Sequence, residues 1–131
     1  MSLHIGTMAR AALLSNLLAR EVEPEISREE VTVLAGSGSD RELKMGTVIA
    51  KLTTGGKAVQ LLPGAETGAQ TAWGVLLEDV TAPDGVDAPG VAFANGPILL
   101  RKEAIVWPAG ISDANKAAAI AALAAKLIKI R

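Results

Sequence analysis

Between Ile98 and Arg131 the chain, ILLRKEAIVWPAGISDANKAAAIAALAAKLIKIR, admits one ordering of elements: strand, Trp-Pro corner, capped helix, strand. The apolar run Ala104-Ile105-Val106-Trp107 is stopped by Pro108, which holds the residue before it extended and has no amide to give to a ladder. After Gly110, Ser112 offers an oxygen to the free amides of a new helix, and Asp113 faces the positive end of its dipole. From Asp113 to about Ala125 the residues are mostly strong helix formers. Ala117, Ile120, Ala121, Ala124 and Leu127 recur at helical spacing as a stripe set apart from Lys116, a face expected in the core or at a subunit interface. The period then changes to two, with Leu127, Lys129 and Arg131 opposite Ile128 and Ile130, which predicts a terminal strand. This end is built for packing.

Upstream, the signals are short strands. Ser27 to Ala35 alternates, with Val31 and Val33 on one face. Thr47–Leu52 and Lys57–Leu62 flank Thr53-Thr54-Gly55-Gly56, a hairpin signal. Thr71 to Val80, which carries Trp73, Val75, Leu76 and Leu77, predicts one well-buried strand. Pro83-Asp84-Gly85 and Pro89-Gly90 mark a loop from Thr81 to Gly90. Val91–Ala94 and Ile98–Arg101 flank Asn95-Gly96, which predicts a tight hairpin. Many short strands and one firm helix give a β-rich α+β fold: a compact single domain of strands and hairpins with a C-terminal helix and a terminal strand.

Residues 1–25 read as an N-terminal arm ahead of a body spanning 26–131. In the arm, Leu13, Leu14, Leu17 and Leu18 share one side of a short helix that Pro24 and its acidic neighbours end. A helix so short is marginal alone. It needs a surface: its own body, a sister subunit or a foreign partner. The apolar stretch and Arg10 raise the question of a targeting peptide, but Ser15 and Asn16 break the run and no convincing cleavage site follows.

Composition removes several functions. Thirteen basic residues against fourteen acidic ones give no electrostatic footprint for nucleic acid. With no cysteine there is no thiol chemistry or thiolate metal site. No apolar run reaches the roughly twenty residues of a membrane span. The mean hydropathy of +0.34 is high for a soluble monomer of this size; small residues raise it, or apolar surface is covered by another chain.

Catalytic and cofactor chemistry finds little support. His4 is the sole histidine and sits in the arm without an orienting partner. Glu78 and Asp79 are adjacent, so in a strand they point to opposite faces. Gly36-Ser37-Gly38 lacks the Lys-Ser/Thr and the helix of a phosphate loop. Asp84 and Asp87 lack the ligand series of a calcium loop. Lys44 in Leu43-Lys44-Met45-Gly46 is weakly similar to the lysine of biotinyl or lipoyl carrier domains, but it does not stand at a hairpin tip. Trp73 and Trp107 each lie in an apolar run, so they, with Pro108 and Ile120, are expected in the core or at a subunit interface rather than stacking on a ligand. The expectation is a protein with no enzymatic activity, cofactor or metal.

Several pieces, in order, resemble the head decoration proteins of tailed bacteriophages, the family of the phage lambda capsid-stabilising protein. They are Arg28-Glu29-Glu30-Val31-Thr32-Val33, Leu43-Lys44-Met45-Gly46-Thr47-Val48 and Trp73-Gly74-Val75-Leu76-Leu77-Glu78-Asp79-Val80. The strongest is Ala104-Ile105-Val106-Trp107-Pro108 with the helix and strand behind it. The leucine-bearing arm does not visibly match. The resemblance implies a homotrimer seated at threefold sites on the outer surface of an expanded phage head, made in the bacterial host cytoplasm and cementing the head against the pressure of its DNA. It implies the major capsid protein as partner, with neither membrane nor direct nucleic-acid contact. It also implies an arm that orders on the capsid and pairs with a capsid-protein loop, which makes Leu13, Leu14, Leu17 and Leu18 the candidate capsid contact. The competing expectation is a small β-rich binding module or a biotinyl- or lipoyl-like carrier domain.

Overall fold

A computed structural model describes residues 14–131. The fold grows from β2 (Arg28–Val33), whose alternation buries Val31 and Val33 and leaves Glu29, Glu30 and Thr32 outside. It pairs antiparallel along its whole length with β8 (Ala88–Phe93), from Arg28↔Phe93 to Val33↔Ala88. Gly90 faces Val31 across this ladder, and a Cβ there would come within 2.9 Å of a Val80 methyl, so the barrel wall needs glycine at that point. With β4 (Val48–Lys51), β5 (Ala58–Gln60) and β6 (Gly74–Leu76), these strands close a five-membered barrel in the order β2-β5-β4-β6-β8. The expected hairpin at Thr53-Thr54-Gly55-Gly56 joins β4 to β5, with both glycines at positive φ. A ribbon of β3 (Arg41–Leu43) and β7 (Val80–Ala82) adds Leu43, Val80 and Ala82 to the barrel core.

A second layer lies against the barrel. β9 (Ile98–Leu100) is its central strand, with β1 (Leu18–Glu21) antiparallel on one side and β10 (Ile128–Ile130) parallel on the other. The crossover from β9 to β10 contains α1 (Asp113–Ala124), capped as expected by Ser112, whose Oγ accepts from the Asn115 amide at 3.1 Å. Between the layers sits the larger core, with Leu17, Val48, Val75, Phe93, Leu100, Leu123 and Ile128 among its fully buried members. The fold is therefore β-rich α+β with a C-terminal helix and a terminal strand, as the pattern of the sequence predicts.

Several local expectations are corrected. Asn95-Gly96 makes no hairpin: after β8 the chain leaves the barrel and enters the other sheet as β9. The Asn95 side chain is held instead by the Ile26 carbonyl and the Glu29 carboxylate, and the Gly96–Pro97 bond is cis. Thr71–Val80 is not one strand, because Asp79 accepts the Met45 amide at 2.8 Å and turns the chain out of β6 toward the ribbon. Ala104–Trp107 is a 3-10 turn (Lys102–Ala104) followed by a single parallel rung, Thr47↔Val106, which Pro108 prevents from extending. β8 begins at Ala88, inside the stretch expected to be loop. The buried face of α1 is Ala119 and Leu123, whereas Ala117, Ala121, Ala124 and Leu127 are exposed and Ile120 is half-buried.

Candidate interaction face

The chemistry-bearing residues named from the sequence are scattered over the described residues. Among them no three His, Cys, Asp or Glu side chains gather to hold a metal, and no helix is long and apolar enough to cross a membrane. His4 lies outside the described residues. Glu78 and Asp79 are both exposed, and Asp79 is engaged by the Met45 amide. The Gly38 amide, which a phosphate loop would aim at its ligand, donates to Asp84 at 2.9 Å. Lys44 stands between β3 and β4, exposed, in a turn whose Thr47 hydroxyl donates to the Lys44 carbonyl.

The surface begins where the arm meets the body. Leu13 lies outside the described residues. Leu14 to Leu17 make one helical turn, in which Leu14 is half-buried and Leu17 is completely enclosed by the protein's own core. The Leu17 carbonyl accepts the Arg101 amide at 2.8 Å. Leu18 opens β1 opposite Leu100 and packs partly against the same core. The four leucines therefore do not share one free face: one is an anchor, and Leu14 and Leu18 remain partly accessible. From Leu14 onward the expected arm is joined to the body, with residues 18–21 as a strand of its second sheet.

At the far end of β1 a clamp holds the strand in place. The Glu21 carboxylate, whose side chain is only 5% exposed, accepts the Arg28 Nε at 3.0 Å and Nη2 at 2.7 Å, together with the Ser27 hydroxyl. The hydrogen-bonded guanidinium holds the Glu21 carboxyl below its ordinary range; burial opposes the shift and the Ser27 hydroxyl adds to it. The same pairing raises Arg28. Arg28 also lies 5.7 Å from the centre of the Phe93 ring, which ties the clamp to the core.

The outer face of the second sheet follows from its registers. Arg20 is opposite Leu99 and Leu99 is opposite Lys129, so the three side chains form one row across the sheet. The neighbouring rows, Glu21-Ile98-Ile128 and Leu18-Leu100-Ile130, belong to the inner side. Around the outer row lies a groove of about 320 Å³ with an apolar floor of Val22, Pro97, Leu99 and Leu127 and a rim of Arg20, Lys129 and Arg131. The alternation after Leu127 is visible in the sequence, but the contribution of Arg20 depends on its pairing with the distant Leu99, which no local pattern reveals.

The other candidates are dispersed. Trp73 is half-buried on the barrel core, with the Lys51 and Lys126 ammonium groups 4.1 and 4.5 Å from its ring. Lys126 also donates to the Trp73 carbonyl at 2.5 Å, and burial lowers its affinity for a proton. Trp107 is half-buried on the other core, beside a half-buried Pro108. The two indoles thus serve different cores, and each keeps some free surface.

In comparisons with known proteins, a family model described as bacteriophage lambda head decoration protein D matches residues 7–128. No curated protein matches the chain.

Proposed function

The chain belongs to the bacteriophage lambda head decoration protein D family, a family of structural phage-head proteins, and on that premise we propose that it binds as a trimer at threefold sites on the outside of an expanded head. There it ties neighbouring copies of the major capsid protein together against the outward pressure of packaged DNA. It acts without catalysis, and it is made in the host cytoplasm before joining the virion.

The observation that carries this reading is the rooting of the arm. Leu17 in the core and Glu21 in the clamp fix β1 at both ends, so a load on the residues ahead of it is passed to the whole second sheet. β1 is also an outer strand of that sheet, and an extended edge can accept a strand from a partner. Leu13, Leu14 and Leu18 supply the apolar part of the head contact, while Leu17 anchors it from inside. Three such arms on one body gain avidity of about 10²–10⁴ for each added contact, without any single tight contact. The free flanks of Trp73, Trp107, Pro108 and Ile120 are the surfaces we assign to packing, in the core or between protomers.

The test is removal of residues 1–13, which leaves Leu17 and β1 untouched. The shortened protein should keep its trimeric mass by light scattering and lose occupancy on expanded heads. Undiminished occupancy would overturn the role of the residues ahead of Leu14, and a monomeric full-length protein would overturn the threefold geometry.

A further inference from the structure

Building on the reading of this chain as a head-binding protein, we propose that the groove on the outer face of the β1-β9-β10 sheet receives an extended segment of the shell protein that carries carboxylates beside apolar side chains. The floor offers Val22 and Leu127, 56% and 57% exposed, among the few large apolar side chains that the described chain leaves open. The rim offers Arg20, Lys129 and Arg131, and no acidic residue lines the groove. Among the described residues none of the three cations is in a salt bridge, and the nearby Glu21 carboxylate is committed to Arg28.

Charge disfavours the nearest alternative occupant. Residues 1–13, MSLHIGTMARAAL, contain Arg10 and no acid, so the chain's own arm would bring a cation and no counter-charge. An acidic partner would satisfy the rim, and its apolar side chains would cover the floor.

A backbone feature points to the same place. Leu127 has a φ of +64°, the one positive φ outside glycine among the described residues. A branched-chain residue is costly in that conformation, where glycine is the usual choice. Glycine could take this turn between the helix and β10, yet the chain has a leucine there and presents its side chain to the groove. Strain of this kind collects at sites that bind.

The experiment uses full-length protein and expanded heads of the phage that encodes it, with occupancy measured at about 0.15 M and about 1 M salt, where the screening length falls from about 8 to about 3 Å. Arg20→Glu/Lys129→Glu should bind about tenfold more weakly at the lower salt, with the deficit shrinking at the higher, whereas Lys44→Glu/Lys116→Glu, an equal change in net charge elsewhere, should stay within about twofold of wild type. Leu127→Gly should melt no lower than wild type and still bind less. Wild-type binding with unaffected groove variants overturns this inference alone; wild-type protein that ignores the heads overturns it together with the reading beneath it. Loss of self-association in the groove variants would make the occupant a second copy of this chain and overturn it too.

Discussion

Replacing Glu21 by Gln probes the clamp that roots the arm. The wild-type carboxylate accepts two nitrogens of Arg28 and the Ser27 hydroxyl, and its side chain is 5% exposed while that of Arg28 is 36% exposed. A hydrogen bond to a charged group contributes about 1.5–3 kcal/mol, and the solvent around Arg28 reduces the pair's share, so Glu21→Gln should cost about 1–2 kcal/mol at neutral pH. The pH dependence carries a sign. Because the folded-state pKa of Glu21 lies below its ordinary 4.5, its contribution is complete above that value and is lost as pH falls through the lowered one. Urea denaturation of both proteins from neutral to acidic pH should therefore give a constant gap that closes on the acid side. Native-state hydrogen exchange should show the β1 amides opening first in the variant. A gap that persists unchanged into acid, or variant β1 amides protected as in wild type, would refute the clamp.

Three further substitutions separate the layers of the fold. Leu17→Ala removes a fully buried side chain and should cost about 2–5 kcal/mol in chemical denaturation, unlike the partly exposed Leu14→Ala. Gly96→Ala should prevent normal folding, seen as lost soluble expression or a collapsed melting transition, because its Cβ would sit 1.7 Å from the Leu127 carbonyl oxygen. Lys126→Met should remove an alkaline gain in stability: with the Lys126 pKa depressed below 10.5 in the folded state, the unfolded chain holds more protons just below that pH, so wild-type stability rises there and the variant's does not.

The elements that were legible in the sequence are those whose signals are local. Ser112 announces its helix, Gly55 and Gly56 announce their hairpin, and the alternation of Val31 and Val33 announces β2, since each depends on neighbours a few residues away. The face of α1 was not legible because alanine surrounds the helix on every side. Only Ile120, Leu123 and Leu127 could discriminate; Leu123 is the buried one, and Leu127 falls beyond the helix end at positive φ. The departure of β9 into a different sheet was hidden for another reason. Asn95-Gly96 is sound turn chemistry, but the Asn95 side chain is captured by Ile26 and Glu29 from across the fold. The groove on the second sheet is hidden in the same way, since its rim joins Arg20 to Lys129 through Leu99. Residue types were readable; which distant strands met was not.

Electron cryomicroscopy of expanded heads, imaged with and without saturating protein, bears most directly on whether this chain works by clamping a lattice. Added density should stand on the outer surface at each threefold junction, with three copies of the barrel in each mass and their β1 edges turned toward the shell. Heads that look identical in the two preparations, or density confined to other positions, would contradict it.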